Sequence, residues 1–162
     1  MHHTISVLVV NQSGVLSRIS GLFSGRGFNI ESLNVAETND SGISRMTIVT
    51  RGDDKKIEQV TKQLNKLVDV IKVIDLTEEN FVDRELILVK MNAEARVREE
   101  ILRIVDIFRA KVIDVNPDSY TVEITGDEGK TKGFLDLLKP LGIKEVVRSG
   151  RIAISRGIKP MN

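Results

Sequence analysis

The sequence has no cysteine and no tryptophan, and its 162 residues include only two histidines and three prolines. Without cysteine there is no disulfide, no thiolate metal site and no cysteine nucleophile; this composition suits a reducing compartment, and a cytoplasmic location is expected. Both histidines, His2 and His3, fall at the N-terminus, where a frayed end is expected. A buried imidazole base, a histidine metal site and a Ser-His-Asp triad therefore all lack their residue, and no catalytic or metal-binding residue is assigned. Aromatic residues make up 4% of the chain, and the strand-like runs Ile5 to Val10 and Arg45 to Thr50 contain none, which argues against a base-stacking RNA surface. An excess of one charge is also missing: 24 Lys and Arg stand against 23 Asp and Glu, so no field gathers a polyanion. No apolar run approaches the roughly 18 residues of a membrane helix. The first, Ile5 to Val10, is broken by Ser6 and lacks a basic leader, so neither export nor anchoring is expected.

What remains is 41% hydrophobic and 29% charged, enough for a folded, soluble chain of one domain or two small ones. Thr4 to Val10 reads as a strand that ends at the polar turn Asn11-Gln12-Ser13-Gly14. Val15, Leu16, Ile19, Leu22 and Phe23 then share one helical stripe, which stops at Gly25 to Gly27. Ile30 to Glu37 and Ile43 to Thr50 flank a Thr38 to Gly42 hairpin turn. Asp53 and Asp54 offer N-caps to a second helix carrying Ile57, Val60, Leu64 and Leu67, and Val70 to Ile74 is a fourth strand. This β-α-β-β-α-β order predicts an antiparallel four-stranded sheet with both helices on one face, the ferredoxin-like arrangement.

The pattern, though not the residues, then repeats. After an acidic connector from Thr77 to Asp83 come a strand (Glu85 to Met91), a helix (Val97, Ile101, Ile104, Val105, Phe108) and two strands around Asn116-Pro117-Asp118. A fourth helix follows (Phe134, Leu137, Leu138, Leu141). Lys144 to Val147 and Ile152 to Ser155 are either one strand bulged at Gly150 or two strands. The expected fold is α+β, two consecutive ferredoxin-like domains, residues 1–76 and 84–162, joined by a linker at 77–83. Gly129-Lys130-Thr131 resembles the end of a phosphate loop, but Ile124 stands where that loop needs its first glycine, and the residues read as a helix start. The acidic pairs Asp53-Asp54, Glu78-Glu79 and Glu99-Glu100 read as helix starts and solvated faces rather than acid/base couples.

The stretch that carries chemistry is Asn11 to Ile30. A glycine turn leads from a strand into a helix whose first free amides come from Gly14, Val15 and Leu16, and such a terminus suits a small anion such as a carboxylate. Gly14 lets the backbone approach a ligand, and Asn11 can add a side-chain amide for its polar end. The same residues serve equally well as a plain turn, and Asn29 as a plain loop closure after Gly27.

The full string Asn11-x-x-Gly14-Val15-Leu16-x-x-Ile19-x-x-Leu22-Phe23-x-x-x-Gly27-Phe28-Asn29-Ile30-x-x-Leu33 strongly resembles the ACT domain, an amino-acid-sensing module. Ile5-Ser6-Val7-Leu8-Val9, Arg26 to Leu33, Ser44-Arg45-Met46-Thr47-Ile48 and Gln63 to Leu67 resemble, more closely, the small regulatory subunits of acetolactate (acetohydroxyacid) synthase. Arg84-Glu85-Leu86, Phe108 to Val115 and Ile124-Thr125-Gly126 resemble the C-terminal domain of those subunits, so the likeness runs from near residue 3 to about residue 156. One departure is Ser13, where that family commonly has proline; losing the fixed φ loosens the turn but removes no ligand-facing amide.

The resemblance implies a non-catalytic regulatory subunit in branched-chain amino-acid biosynthesis (valine, leucine, isoleucine). Such a subunit binds and activates a catalytic large subunit that carries thiamine diphosphate, Mg and FAD and condenses two pyruvates, or pyruvate with 2-oxobutyrate. It also makes that enzyme sensitive to feedback inhibition by valine, with leucine or isoleucine as partial effectors. Two ACT domains pair side by side in a homodimer or larger oligomer, with the effector at their joint: Asn11, Gly14, Val15 and Leu16 from one chain, Asn29 and Ile30 from the other. The chain has no cofactor of its own in this reading. A freestanding amino-acid sensor serving another metabolic enzyme is the alternative.

Overall fold

Every residue from His3 to Val9 is buried in the first strand, β1 (His2–Val10), although a sheet covered on one side would bury only alternate residues. The computed structural model, which describes residues 2–157, shows both coverings. Ile5, Val7 and Val9 face two helices, α1 (Val15–Gly25) and α2 (Asp54–Asn65), which contribute Val15, Ile19, Phe23, Ile57, Val60 and Leu64 to a dry core. On the opposite face Ser6 Oγ accepts from Arg45 Nε at 2.9 Å, and Arg45 Nη2 donates to the Ala153 carbonyl at 3.1 Å. Burial holds the Arg45 guanidinium below its ordinary pKa.

The remaining strands of this unit are β2 (Ile30–Glu37), β3 (Ile43–Arg51) and β4 (Val70–Asp75), in the antiparallel order β2-β3-β1-β4. The hairpin turn between β2 and β3 is the expected one: Asp40 Oδ1 accepts the Gly42 N–H and Thr38 Oγ1 the Asp40 N–H. Asp53 caps α2 by accepting from Lys55 and Lys56, which satisfies two donors that the first helical turn leaves unpaired. Leu16 departs from the expected stripe: its side chain is 45% exposed.

His2 and His3 are not frayed. Pairing of β1 with β3 runs to His3 opposite Thr50 and His2 opposite Arg51, which holds His3 in the sheet at 4% exposure. Its Nδ1 lies 3.1 Å from Asp75 Oδ2 and its Nε2 3.1 Å from Asp54 Oδ1. The sequence-based expectation that the chain lacks a buried imidazole is thereby corrected. The Thr77 hydroxyl donates to Asp75 Oδ1 at 2.5 Å and lies 3.4 Å from His3 Nδ1, which makes it part of the same cluster. The cluster ties the strand end to α2 and β4.

The second unit, Asp83–Gly150, repeats the order. Strand β5 (Phe81–Asn92) is followed by α3 (Ala95–Ile107), β6 (Lys111–Val115), β7 (Ser119–Gly126), α4 (Glu128–Gly142) and β8 (Ile143–Arg148), with sheet order β6-β7-β5-β8. Ile87, Val89, Met91, Val122 and Ile124 pack against Val97, Ile101, Val105, Phe134 and Leu138. The Phe108 and Phe134 rings meet edge to face, with centroids 5.4 Å apart. Gly129-Lys130-Thr131 opens α4, with Asp127 Oδ1 accepting the Lys130 N–H at 2.9 Å, as the helix-start reading expects.

Strand β5 begins at Phe81 rather than Glu85, since Phe81 and Val82 are themselves strand formers and Asn80 accepts a backbone bond from Arg156. The alternatives at the C-terminal end resolve as two strands, β8 and β9 (Ile152–Ser155). Between them Gly150 has φ 84, and Ser149 uses its hydroxyl oxygen to accept the Leu86 N–H in place of a ladder carbonyl. Residues 151–157 belong with residues 2–82 as one unit, and β9 pairs with β5, whose first residues lie in that unit.

One residue other than glycine sits at positive φ among the described residues: Arg109, at φ 55, just past α3. There it closes a helix end in which the Ala110 N–H donates to the Val105 carbonyl at 2.9 Å, a role that glycine fills without steric cost. Arg109→Gly is expected to stabilise the chain by about 0.5–1 kcal/mol, the net of relieved strain and extra unfolded-state entropy. A urea titration reads it as a higher midpoint at unchanged slope.

Candidate functional site

The turn after β1 is fastened to the β2–β3 hairpin at every polar atom Asn11 can donate. Its N–H donates to the Gly42 carbonyl at 2.9 Å, and its Nδ2 to the Ser41 carbonyl at 2.9 Å and to Glu37 Oε1 at 3.2 Å. Gly14, the N-cap of α1, has φ 86, a left-handed conformation that side chains other than glycine adopt at a cost. The Arg18 N–H donates to the Gly14 carbonyl, so the first unpaired amides of α1 belong to Val15, Leu16 and Ser17.

Those amides are unoccupied by any side-chain cap, and the first turn of α1 holds no acidic residue. Helices α2 and α4 are capped by Asp53 and Asp127, whereas α3, like α1, has no side-chain cap. The positive end of α1 therefore keeps its capacity for an external carboxylate. Val15 is buried, so it can offer a ligand only its backbone, whereas Leu16 presents its side chain outward.

Sequence reasoning passed over Arg18. Its Nη1 stands 3.1 Å from the position a Cβ on Gly14 would take, which brings a cation over the turn while the same guanidinium pairs with Asp69. The available signal was its place one helical turn after Gly14, on the same face.

The other expected residues, Asn29 and Ile30, sit at the start of β2. The Asn29 carbonyl accepts from Thr50 Oγ1 at 2.8 Å, and Ile30 lies opposite Thr50 in the ladder. Within one chain they are not brought to Asn11 and Gly14, because α1, 11 residues or about 16 Å long, separates the two groups. Asn11 instead lies beside Glu37, at the far end of β2. Strand β2 is an edge of its sheet.

Among the described residues no group of three or more His, Asp or Glu could hold a metal ion, and no helix is long and apolar enough to cross a membrane.

Comparison with known proteins covers the whole of this architecture. Residues 5–72 match the family described as the AHAS small subunit-like ACT domain, and residues 84–157 the one described as the small subunit of acetolactate synthase. The probable acetolactate synthase small subunit of Archaeoglobus fulgidus is 54% identical over 98% of this chain and 99% of its own length. The acetolactate synthase small subunit of Aquifex aeolicus is 55% identical over 95% and 81%. The crystal structure of the small subunit from Thermotoga maritima superposes with a TM-score of 0.86 at 42% identity, covering 97% of this chain and 98% of that one. The chain therefore belongs to the acetolactate synthase small-subunit family.

Proposed function

We propose that this chain binds and activates the catalytic large subunit of acetolactate synthase and makes it sensitive to valine, without catalysing the condensation itself. The large subunit carries the thiamine diphosphate, Mg and FAD, and the complex works in the cytoplasm. Residues 2–76 act as the ACT domain and residues 84–150 as the body of the C-terminal domain; residues 81–83, expected as linker, are the start of β5, and residues 151–157, expected in the second domain, belong to the first unit.

The observation that carries the effector reading is the position of the two half-sites on β2. Asn11 is fixed beside the C-terminal end of this edge strand, and Asn29 and Ile30 stand at its N-terminal start. Two copies of β2 paired antiparallel across a two-fold axis bring the start of each strand to the end of the other. Asn11, Gly14, Val15 and Leu16 of one chain then meet Asn29 and Ile30 of the partner. A carboxylate at the free α1 amides and a small branched side chain between protomers favour one mutual arrangement of the two chains. That differential affinity supplies the roughly 1–3 kcal/mol that allosteric control needs. An apolar pocket separates valine from leucine or isoleucine by only about 1–3 kcal/mol, so these act as weaker effectors.

Isothermal titration of the full chain with L-valine, with D-valine and serine as controls, tests the reading. Saturable, stereospecific heat is expected. No heat from any of them, with an unchanged melting temperature, would contradict the effector site. Capture of the large subunit on the immobilised chain separates this function from that of a free sensor serving another enzyme, which would bind valine but not the large subunit.

A further inference from the structure

The Asn11 side chain has one orientation open to it. Both groups that face its Nδ2, the Ser41 carbonyl and the Glu37 carboxylate, are acceptors, so only the NH2 end of the amide can point at the hairpin. The backbone N–H is held by Gly42 in the same direction. The other end of the amide, Oδ1, carries no hydrogen bond to a described residue. The turn thus presents two kinds of polar group to a ligand: the donor amides at the start of α1 and the acceptor Oδ1 of Asn11.

Resting on the effector reading above, we propose that Glu37 is a positioning residue that locks Asn11 with its oxygen toward the effector, so that the site selects a zwitterion with its ammonium at Asn11 Oδ1 and its carboxylate at the α1 amides. Glu37 is exposed and makes its contact from the opposite strand end, so its effect on binding is exerted through Asn11. A ligand without the ammonium leaves Oδ1 without a donor. Ligands of equal shape are then separated by a lost hydrogen bond at Asn11 as well as by packing.

The test titrates the full chain with L-valine and with 3-methylbutanoate, the same carbon skeleton without its amine. Glu37→Lys puts a donor beside Nδ2 in place of an acceptor and opposes the hold of the Ser41 carbonyl, so that the amide no longer has a single orientation. It is expected to weaken valine binding by about tenfold or more and to bring the two ligands within about threefold of each other. Glu37→Gln still offers an acceptor oxygen to Nδ2 and is expected to keep valine within about threefold of the unmodified chain, with its preference over 3-methylbutanoate intact. Glu37→Leu, which withdraws the acceptor without adding a donor, falls between them and serves if the Lys variant does not fold. Equal valine binding in all the variants would overturn the proposal. So would a Gln variant as impaired as the Lys variant, since the charge at 37 and not the amide orientation would then be at work. Absence of valine binding to the unmodified chain would overturn the effector reading itself, and this proposal with it.

Discussion

Gly14→Asp is expected to abolish valine inhibition of the reconstituted synthase while leaving its activation in place. Three effects act together at this position. The φ of 86 is tolerated by Asp better than by most residues, so the turn survives at about 1 kcal/mol. The new Cβ stands 3.1 Å from Arg18 Nη1, and the guanidinium draws the new carboxylate over the turn, where it shields the amides of Val15 and Leu16 from a ligand. A second carboxylate arriving about 4 Å away is repelled by about 4 kcal/mol at an effective dielectric constant near 20, which exceeds a hundredfold loss of affinity. Gly14→Ala carries the strain without the charge and isolates that part of the effect. Valine titration of enzyme activity checks both, and full sensitivity in the Asp variant would remove Gly14 from the site.

Gly52→Ala acts on the other half of the site through the core. A Cβ at residue 52 would lie 1.9 Å from Phe28 Cε1 and 2.8 Å from Cδ1, closer than any real contact. The Phe28 ring is 7% exposed and packs edge to face on Phe23, so it has no free direction in which to retreat. Overpacking of this kind costs about 1–3 kcal/mol, and this contact places the variant at the upper end. Because Phe28 immediately precedes Asn29 and Ile30, the displacement is expected to weaken the effector response as well. The companion Phe28→Leu, combined with Gly52→Ala, should recover part of both losses, a coupling that a double-mutant cycle by urea titration measures. Unchanged stability in the single variant would contradict the packing described.

These two positions show what a sequence discloses and what it conceals. The Asn11 to Gly14 turn, the Thr38 to Gly42 hairpin and the Asp53 cap are local, and each is legible because the chemistry that makes it lies within a few residues. The two ferredoxin-like units follow from the same local signals taken in order. His3 was misread because its partners, Asp54 and Asp75, are 51 and 72 residues away, and nothing near residue 3 announces them. The start of β5 at Phe81 and the unbroken burial from His3 to Val9 escaped for the same reason, since both depend on contacts with residues 151–157 or with Leu76, whose N–H donates to the Thr4 carbonyl. Leu16 fitted the helical stripe by spacing but lies at its margin, while Val15, Ile19 and Phe23 fill the core side of the helix. Of the proposed site, Asn11, Gly14 and the start of α1 are legible in the sequence as a local turn, whereas Arg18 and Glu37 are not. Nor is the orientation of the Asn11 amide, because it is set by Glu37 and Ser41 across a hairpin.

Reconstitution of acetolactate synthase from the separately purified large subunit and this chain, assayed for acetolactate formation with and without valine, tests the central claim most directly. The account predicts that activity rises when the chain is added and that valine withdraws the added activity, while the large subunit alone responds weakly to valine. Activity indifferent to the chain, or a valine response identical with and without it, would contradict the account.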